Sequence, residues 1–339
     1  KRIKLLRSKF IQHKIDGYVV PKNDQFFSEY AAEDRLKIIS NFSGSAGLAI
    51  VLKKKSYLFV DGRYTIQAQQ QSGKKFKIIE IHKFLPFKII KNLKLGFDPS
   101  LFTRKQLNVY FNNSLILKPI NKNLVDEIYK DKTPKNKIFF SLTNKVAGKT
   151  FQSKINNVRN ILKRNKADYL FVSAPENVAW LLNIRGSDNP NSPIPNCRLI
   201  IGKNKELFLI TQKEKTLKII KDKKLSKKQI INPKKFKDLI NKLKGYKFII
   251  DPLSCSLLNE NIIKSKFKII NKDDPCYKLK SIKNSSEIKH MINAHIEDGL
   301  ALTKFIFWIK NINKKKITEV DAQNKLEKFR KLNKNYLFP

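Results

Sequence analysis

The feature that most restricts what this chain can fold into is an internal repeat. An amphipathic opening with Ile3, Leu6, Phe10 and Ile11 runs into Asp16-Gly17-Tyr18-Val19-Val20-Pro21, a turn followed by a short buried strand. Ile155, Val158, Ile161 and Leu162 recur at helical spacing and lead into Ala167-Asp168-Tyr169-Leu170-Phe171-Val172-Ser173. Asn41-Phe42-Ser43-Gly44-Ser45 then matches Asn183-Ile184-Arg185-Gly186-Ser187. Each match is followed by two β-rich runs of hairpin form, 47–52 with 56–61 and 198–201 with 206–210. Leu95-Gly96-Phe97-Asp98-Pro99 is echoed by Phe248-Ile249-Ile250-Asp251-Pro252, a strand ending in an Asp-Pro turn. The offset is 151 residues from Tyr18 to Tyr169 and 153 from Asp98 to Asp251.

The repeat predicts two similar α/β domains of about 140 residues, each a mixed sheet covered by helices. Asp131-Lys132-Thr133-Pro134-Lys135 is the expected joint between them, and a second joint falls near Asp273-Asp274-Pro275. The resulting segments are 1–132, 133–275 and 276–339. In the third, the strand pattern stops. A long helix is expected after Asn284, with Glu287 completing a capping box, and another after Thr318, with Asp321 as its acid. Two helices with no sheet to cover form an incomplete domain, and their apolar residues, including Phe305, Phe307 and Trp308, lack a partner within the chain. A chain that starts without Met and stops at Leu337-Phe338-Pro339 is expected to be a piece of a longer one.

Lys+Arg exceed Asp+Glu by 71 to 28, a net charge of +43 that raises the question of a polyanionic partner. The excess is nearly all Lys and runs through every segment, which fits genome-wide compositional drift better than a selected surface, because footprints of that kind tend to be clustered and Arg-rich. Cys197, Cys255 and Cys276 are odd in number and far apart, as in a reducing compartment. No apolar run approaches the roughly 18 residues of a membrane span, so a cytoplasmic location is expected, with no membrane and no specific nucleic acid as partner.

Catalytic chemistry is sparsely represented. His290 and His295, two of only four histidines, lie five apart and do not share a helical face as i,i+4 ligands would. Ser43, Ser45 and Cys197 have no neighbouring histidine, and G-x-S-x-G is absent. Asn41–Gly47 lacks the Gly-Lys-Ser/Thr ending of a phosphate loop and precedes a strand, so it reads as a corner. Asp61-Gly62-Arg63-Tyr64 marks a strand-to-helix turn whose Arg63 either meets a carboxylate ligand or pairs internally. Arg185 and Asp188 carry the same two readings.

Taken together, "SEYAAEDR" (Ser28–Arg35), "NFSGSAG" (Asn41–Gly47), "VDGRYTIQA" (Val60–Ala68), "NLVDEIY" (Asn123–Tyr129), "NVAWLLNIRGSD" (Asn177–Asp188), "LKSIKNSSEI" (Leu279–Ile288), "AHIEDGLAL" (Ala294–Leu302) and "ITEVDAQNKLEKFR" (Ile317–Arg330) resemble the amino-terminal part of an Xaa-Pro aminopeptidase of the creatinase/prolidase group. They stand in family order over essentially the whole chain. The resemblance implies two creatinase N-terminal-like domains of ribonuclease-H-like topology, then the first helices of an incomplete pita-bread metallopeptidase domain. It implies release of the first residue from peptides with proline second, by a homodimer using two divalent ions, Mn or Zn. The family's metal ligands and catalytic histidines lie beyond Pro339, so no catalytic or metal-binding residue is expected in this chain, which would serve to restrict substrate access. Arg35, Phe42 and Arg185 are the residues expected to approach the cleft or a partner subunit. The rival expectation is a non-catalytic pita-bread binder of an acidic partner.

Overall fold

The computed structural model describes residues 1–28, 33–112, 115–129, 137–312 and 317–337. The expected joint at 131–135 and the terminal Phe338-Pro339 lie outside the described residues. In the first lobe, β1 (Gly17–Pro21), β2 (Gly47–Leu52), β3 (Ser56–Val60), β4 (Lys77–Glu80), β5 (Lys94–Phe97) and β6 (Ile116–Pro119) form one sheet in the order β4-β3-β2-β1-β5-β6. Next come β7 (Phe140–Ser141), β8 (Tyr169–Val172), β9 (Ile184–Arg185), β10 (Arg198–Gly202), β11 (Leu207–Ile210), β12 (Ile230–Ile231), β13 (Lys247–Ile250) and β14 (Lys268–Asn271). Six of these build a second sheet, β12-β11-β10-β8-β13-β14, while β7 and β9 pair separately.

The two large sheets are the same object. In each, the central strand is antiparallel to the first hairpin strand, the hairpin is antiparallel, and the outer joins are parallel. Both faces are covered, which is why β1 and β8 are buried at every residue instead of alternating. Helices Arg2–His13 and Phe151–Arg164 occupy corresponding positions, packing Leu6 and Phe10 on Tyr18 and Val20, and Ile155, Val158 and Leu162 on Leu170 and Val172. Arg104–Phe111 covers the other face of the first sheet, Phe236–Lys242 and Leu257–Lys264 that of the second.

This packing corrects the alignment of the copies by one residue at the central strand. Asp16 and Asp168 are the equivalent pair, an offset of 152: each exchanges backbone hydrogen bonds with the strand at its side and accepts a lysine amine on Oδ1, from Lys53 at 2.6 Å and from Lys203 at 2.7 Å. Tyr18 therefore corresponds to Leu170. Matching tyrosine to tyrosine puts Tyr169 on the wrong face, because a one-residue slip in a strand exchanges its two sides. The corners do match as expected, since Asn41 and Asn183 both end a helix in the left-handed conformation (φ 68° and 50°) and each is followed by a fully buried apolar residue, Phe42 or Ile184.

The lobes interlock. Leu257 enters the core of the first lobe, its N–H donating to Phe102 O at 2.8 Å, while Arg104 Nε meets Glu260 at 2.7 Å. From the other side Arg198, buried, lies 4.5 Å from the Phe26 ring and donates to Gln25 O. At the second joint Asp274 caps helix Pro275–Ser281, and Cys276 belongs to the core of the second lobe. The packed unit thus continues past 275, because Asp followed by Pro is here a helix start instead of a linker. Beyond it, helices Ser285–Lys310 and Glu319–Arg330 open with both expected capping boxes and are joined by a bidentate Arg330–Asp298 pair at 2.6 and 3.0 Å. Their apolar side chains are widely exposed, Phe307 at 70%.

Candidate functional site

A convergence of polar groups lies where the second lobe meets helix Ser285–Lys310. Lys154 occupies the same face of its helix as Val158, four residues on, and is carried into the interior with the apolar stripe. Its amine donates to Trp180 O at 2.9 Å and Asn183 Oδ1 at 2.7 Å, a cation at the C-terminus of helix Pro175–Leu182, and lies 4.3 Å from the centre of the Trp180 ring. Burial lowers its pKa to about 8, with Glu287 pulling the other way. Trp180 Nε1 donates to Glu287 Oε1 at 3.3 Å, and Glu287 Oε2 accepts the Asn284 N–H at 2.9 Å.

Arg185, on β9, donates from Nη1 to the carbonyls of Ala179 and Ile184 at 3.2 and 2.9 Å. Among the described residues its Nε and Nη2 donate to nothing. Burial lowers its pKa, with Glu287 opposing. These groups border a cleft of about 580 Å³, closed on the helix side by His290 and Met291 and on the lobe side by Leu142 and Ile194. A half-buried guanidinium with unused donors above an apolar wall is suited to a carboxylate or a peptide carbonyl.

The helix that forms one wall is fixed through a close approach. Asn284 Nδ2 donates to Ala147 O at 3.0 Å, and a Cβ on Gly148 (φ +70°) would come 2.2 Å from Asn284 Oδ1. Gly148→Ala is expected to lower stability by about 2 kcal/mol through left-handed strain and loss of the cap. Urea unfolding measures this, and a change below about 0.5 kcal/mol contradicts it.

The expected site residues are not gathered in one place. Arg35 is 9% exposed and clamps Asp126 with two bonds, Nε–Oδ1 at 2.8 Å and Nη2–Oδ2 at 2.9 Å, while Nη2 also meets Glu33 at 2.6 Å. Burial alone would lower its pKa, but Asp126 and then Glu33 outweigh that and raise it. It ties helix Arg35–Ser40 to Leu124–Ile128 and, with Asp98 and Asn123, lines a polar hollow; residues 29–32 of the preceding motif lie outside the described residues.

Phe42 is wholly buried in the core of the first lobe, edge-on to Tyr64 at 5.8 Å, so it can shape a corner but cannot touch a peptide without opening the core. Its loop is committed internally. The Ser43 N–H donates to Gln71 Oε1 at 2.9 Å, Ser43 Oγ accepts from Gln67 at 2.9 Å, and Ser45 Oγ meets Tyr64 OH at 2.8 Å. A Cβ on Gly44 would stand 2.2 Å from the Phe42 ring. Arg63 turns back on Asp61 at 2.9 Å, holding that carboxyl at about 2, and Asp188 is paired with Lys215 at 2.7 Å.

Lys154 is not marked by the sequence reading, Trp180 stands there only inside the Asn177–Asp188 motif, and Glu287 only as the acid of a capping box. A lysine at i,i+4 to the apolar stripe was the available signal for the first; the Trp180–Glu287 contact spans 107 residues and has none. Among the described residues, no group of three or more His, Cys, Asp or Glu could hold a metal ion, and no helix is long and apolar enough to cross a membrane. The described residues do not fit a di-metal centre.

Two models of the creatinase/prolidase N-terminal domain match the chain, over residues 2–116 and 130–287. The chain belongs to that family, and its two lobes are two copies of the domain. It is 30% identical to Xaa-Pro aminopeptidase 1 of Dictyostelium discoideum, an alignment covering 98% of this chain and 57% of that protein. Its structure is similar to the crystal structure of X-prolyl aminopeptidase from Caenorhabditis elegans, a cytosolic enzyme with a di-nuclear active site: TM-score 0.86, 26% identity, 99% of this chain and 60% of that one. The chain spans little more than half the length of these relatives.

Proposed function

We propose that the chain is the substrate-limiting part of a metal-dependent aminopeptidase that releases the first residue from peptides with proline second. The observation that supports this reading is the continuous correspondence of both lobes and the following helices with one X-prolyl aminopeptidase, in a single arrangement. In the proposed protein, two divalent ions, Mn or Zn, are held by a catalytic domain outside the residues described. Bound there, such ions would supply an activated water and a polarised carbonyl, which suits a scissile bond whose proline nitrogen offers no N–H for recognition. The contribution of this chain is access: the Arg185 cleft lies beside the helix leading to that domain, and its guanidinium orients a carboxylate or carbonyl of the entering peptide. Phe42 and Arg35 act behind it, by holding the first lobe in shape. The working form is a homodimer in the cytosol.

The test uses the whole protein, purified and loaded with Mn or Zn, on matched tripeptides with proline or alanine second. Release from the proline peptide is expected to exceed that from the alanine peptide by about tenfold or more, to stop with a chelator and to return with metal. Equal release from both, or none from either, sinks the reading. Light scattering at the monomer mass would remove the homodimer.

A further inference from the structure

The positive charge is not spread evenly. Between the start of helix Arg2–His13, the β2–β3 turn and the turn before β4 lies a concavity of about 900 Å³. Nine of its sixteen lining residues are Lys or Arg and none is acidic, over twice the density of the chain as a whole, 71 in 339. Lys4, Arg7, Lys54, Lys55, Lys74 and Lys75 are among them. None of the nine has a carboxylate partner among the described residues, although Lys53, next in sequence to Lys54, is paired with Asp16 at 2.6 Å. Arg7 is fixed at one wall, Nε to Leu52 O at 2.8 Å and Nη2 to Ser56 Oγ at 3.2 Å. Like charges gathered without counter-charges repel one another, and a concave wall concentrates their field.

We infer that this concavity is a binding site for a compact oligophosphate, a ligand carrying three or more linked or closely set phosphates. The size fits a small-molecule site better than a groove for a duplex. Lysine ammonium groups are point charges suited to phosphate oxygens approached from several directions. The lining offers little face on which bases could stack: Phe76 is buried and Tyr57 is half-buried against the first-lobe core. The site lies in the first lobe, shares no residue with the Arg185 cleft, and stands or falls independently of peptide hydrolysis.

Tripolyphosphate is titrated calorimetrically into the full chain at ~100 mM salt, with ATP and inositol hexakisphosphate alongside to distinguish a nucleotide from a cyclitol source of the same chemistry. The double variant Lys54→Glu/Lys75→Glu is compared with Lys227→Glu/Lys234→Glu, an identical charge change on exposed lysines of the second lobe. The site predicts binding that weakens about tenfold or more in the first variant and less than about twofold in the second. The neutral pair Lys54→Gln/Lys75→Gln should give the same order of effects, and unfolding midpoints confirm that all variants are folded. Equal weakening in both lobes shows nonspecific charge and overturns the assignment, as does absence of binding at that salt. An oligonucleotide of about 20 residues that competes better per phosphate than tripolyphosphate overturns the compact-ligand reading.

Discussion

Phe42→Ala is expected to destabilise the chain by about 3–5 kcal/mol, the range for deleting a buried aromatic ring. The ring is the centre of its corner: it fills the first-lobe core, meets Tyr64 edge-on and occupies the space left open by Gly44. Its removal leaves a cavity under the left-handed turn at Asn41. Urea unfolding gives the value, and Phe42→Leu should recover more than half of it. A loss below about 1 kcal/mol would show that Phe42 is kept for a surface role and that the corner is not packed as described.

The second large effect belongs to Asp168. Its carboxylate accepts from Lys203 Nζ at 2.7 Å and from the N–H groups of Tyr246 and Lys247 at 2.7 and 2.9 Å. Asp168→Ala leaves two strand-end donors without their acceptor and is expected to cost about 2–4 kcal/mol. Partial burial pulls the Asp168 pKa up, but Lys203 and the two amides outweigh it and hold the pKa at about 2. Because the folded value lies below the ordinary one, the stabilisation is present above about pH 4 and is lost as pH falls through about 2, a change of about 2 kcal/mol. The gap between wild type and Asp168→Ala should therefore close between about pH 4 and pH 2. A gap that is constant over this window would mean that the charge contributes nothing. Asp16 occupies the same position in the first lobe, with its pKa lowered chiefly by Lys53, and should show the same trend.

The repeat was legible because both hairpins, both helix-to-strand entries and both Asn corners leave local marks at matching distances. Its register was not, since the shared tyrosine outweighed the less visible Asp16–Asp168 equivalence, and only burial reveals which face a strand residue takes. The edge strands were also missed: β4, β6, β12 and β14 are two to four residues long, and three of them carry lysine, as befits edges that must not pair further. Both capping boxes on the later helices were readable because Asn284 with Glu287 and Thr318 with Asp321 act within a single turn. Of the residues expected near a cleft, Arg185 lines one, Arg35 lines a separate polar hollow while clamping Asp126, and Phe42 is core. Sequence spacing cannot separate these outcomes, because each depends on contacts made far along the chain. The clustering of unpaired lysines was invisible for the same reason: Lys4, Lys54 and Lys75 meet only after the first sheet has formed.

The most direct measurement sets the whole protein beside residues 1–339 and follows release of the first residue from a peptide with proline second, at equal concentration and saturating Mn or Zn. The whole protein should turn over and residues 1–339 should not, although they remain folded with the same two lobes. Turnover by residues 1–339 themselves, or none by the metal-loaded whole protein, would contradict the account.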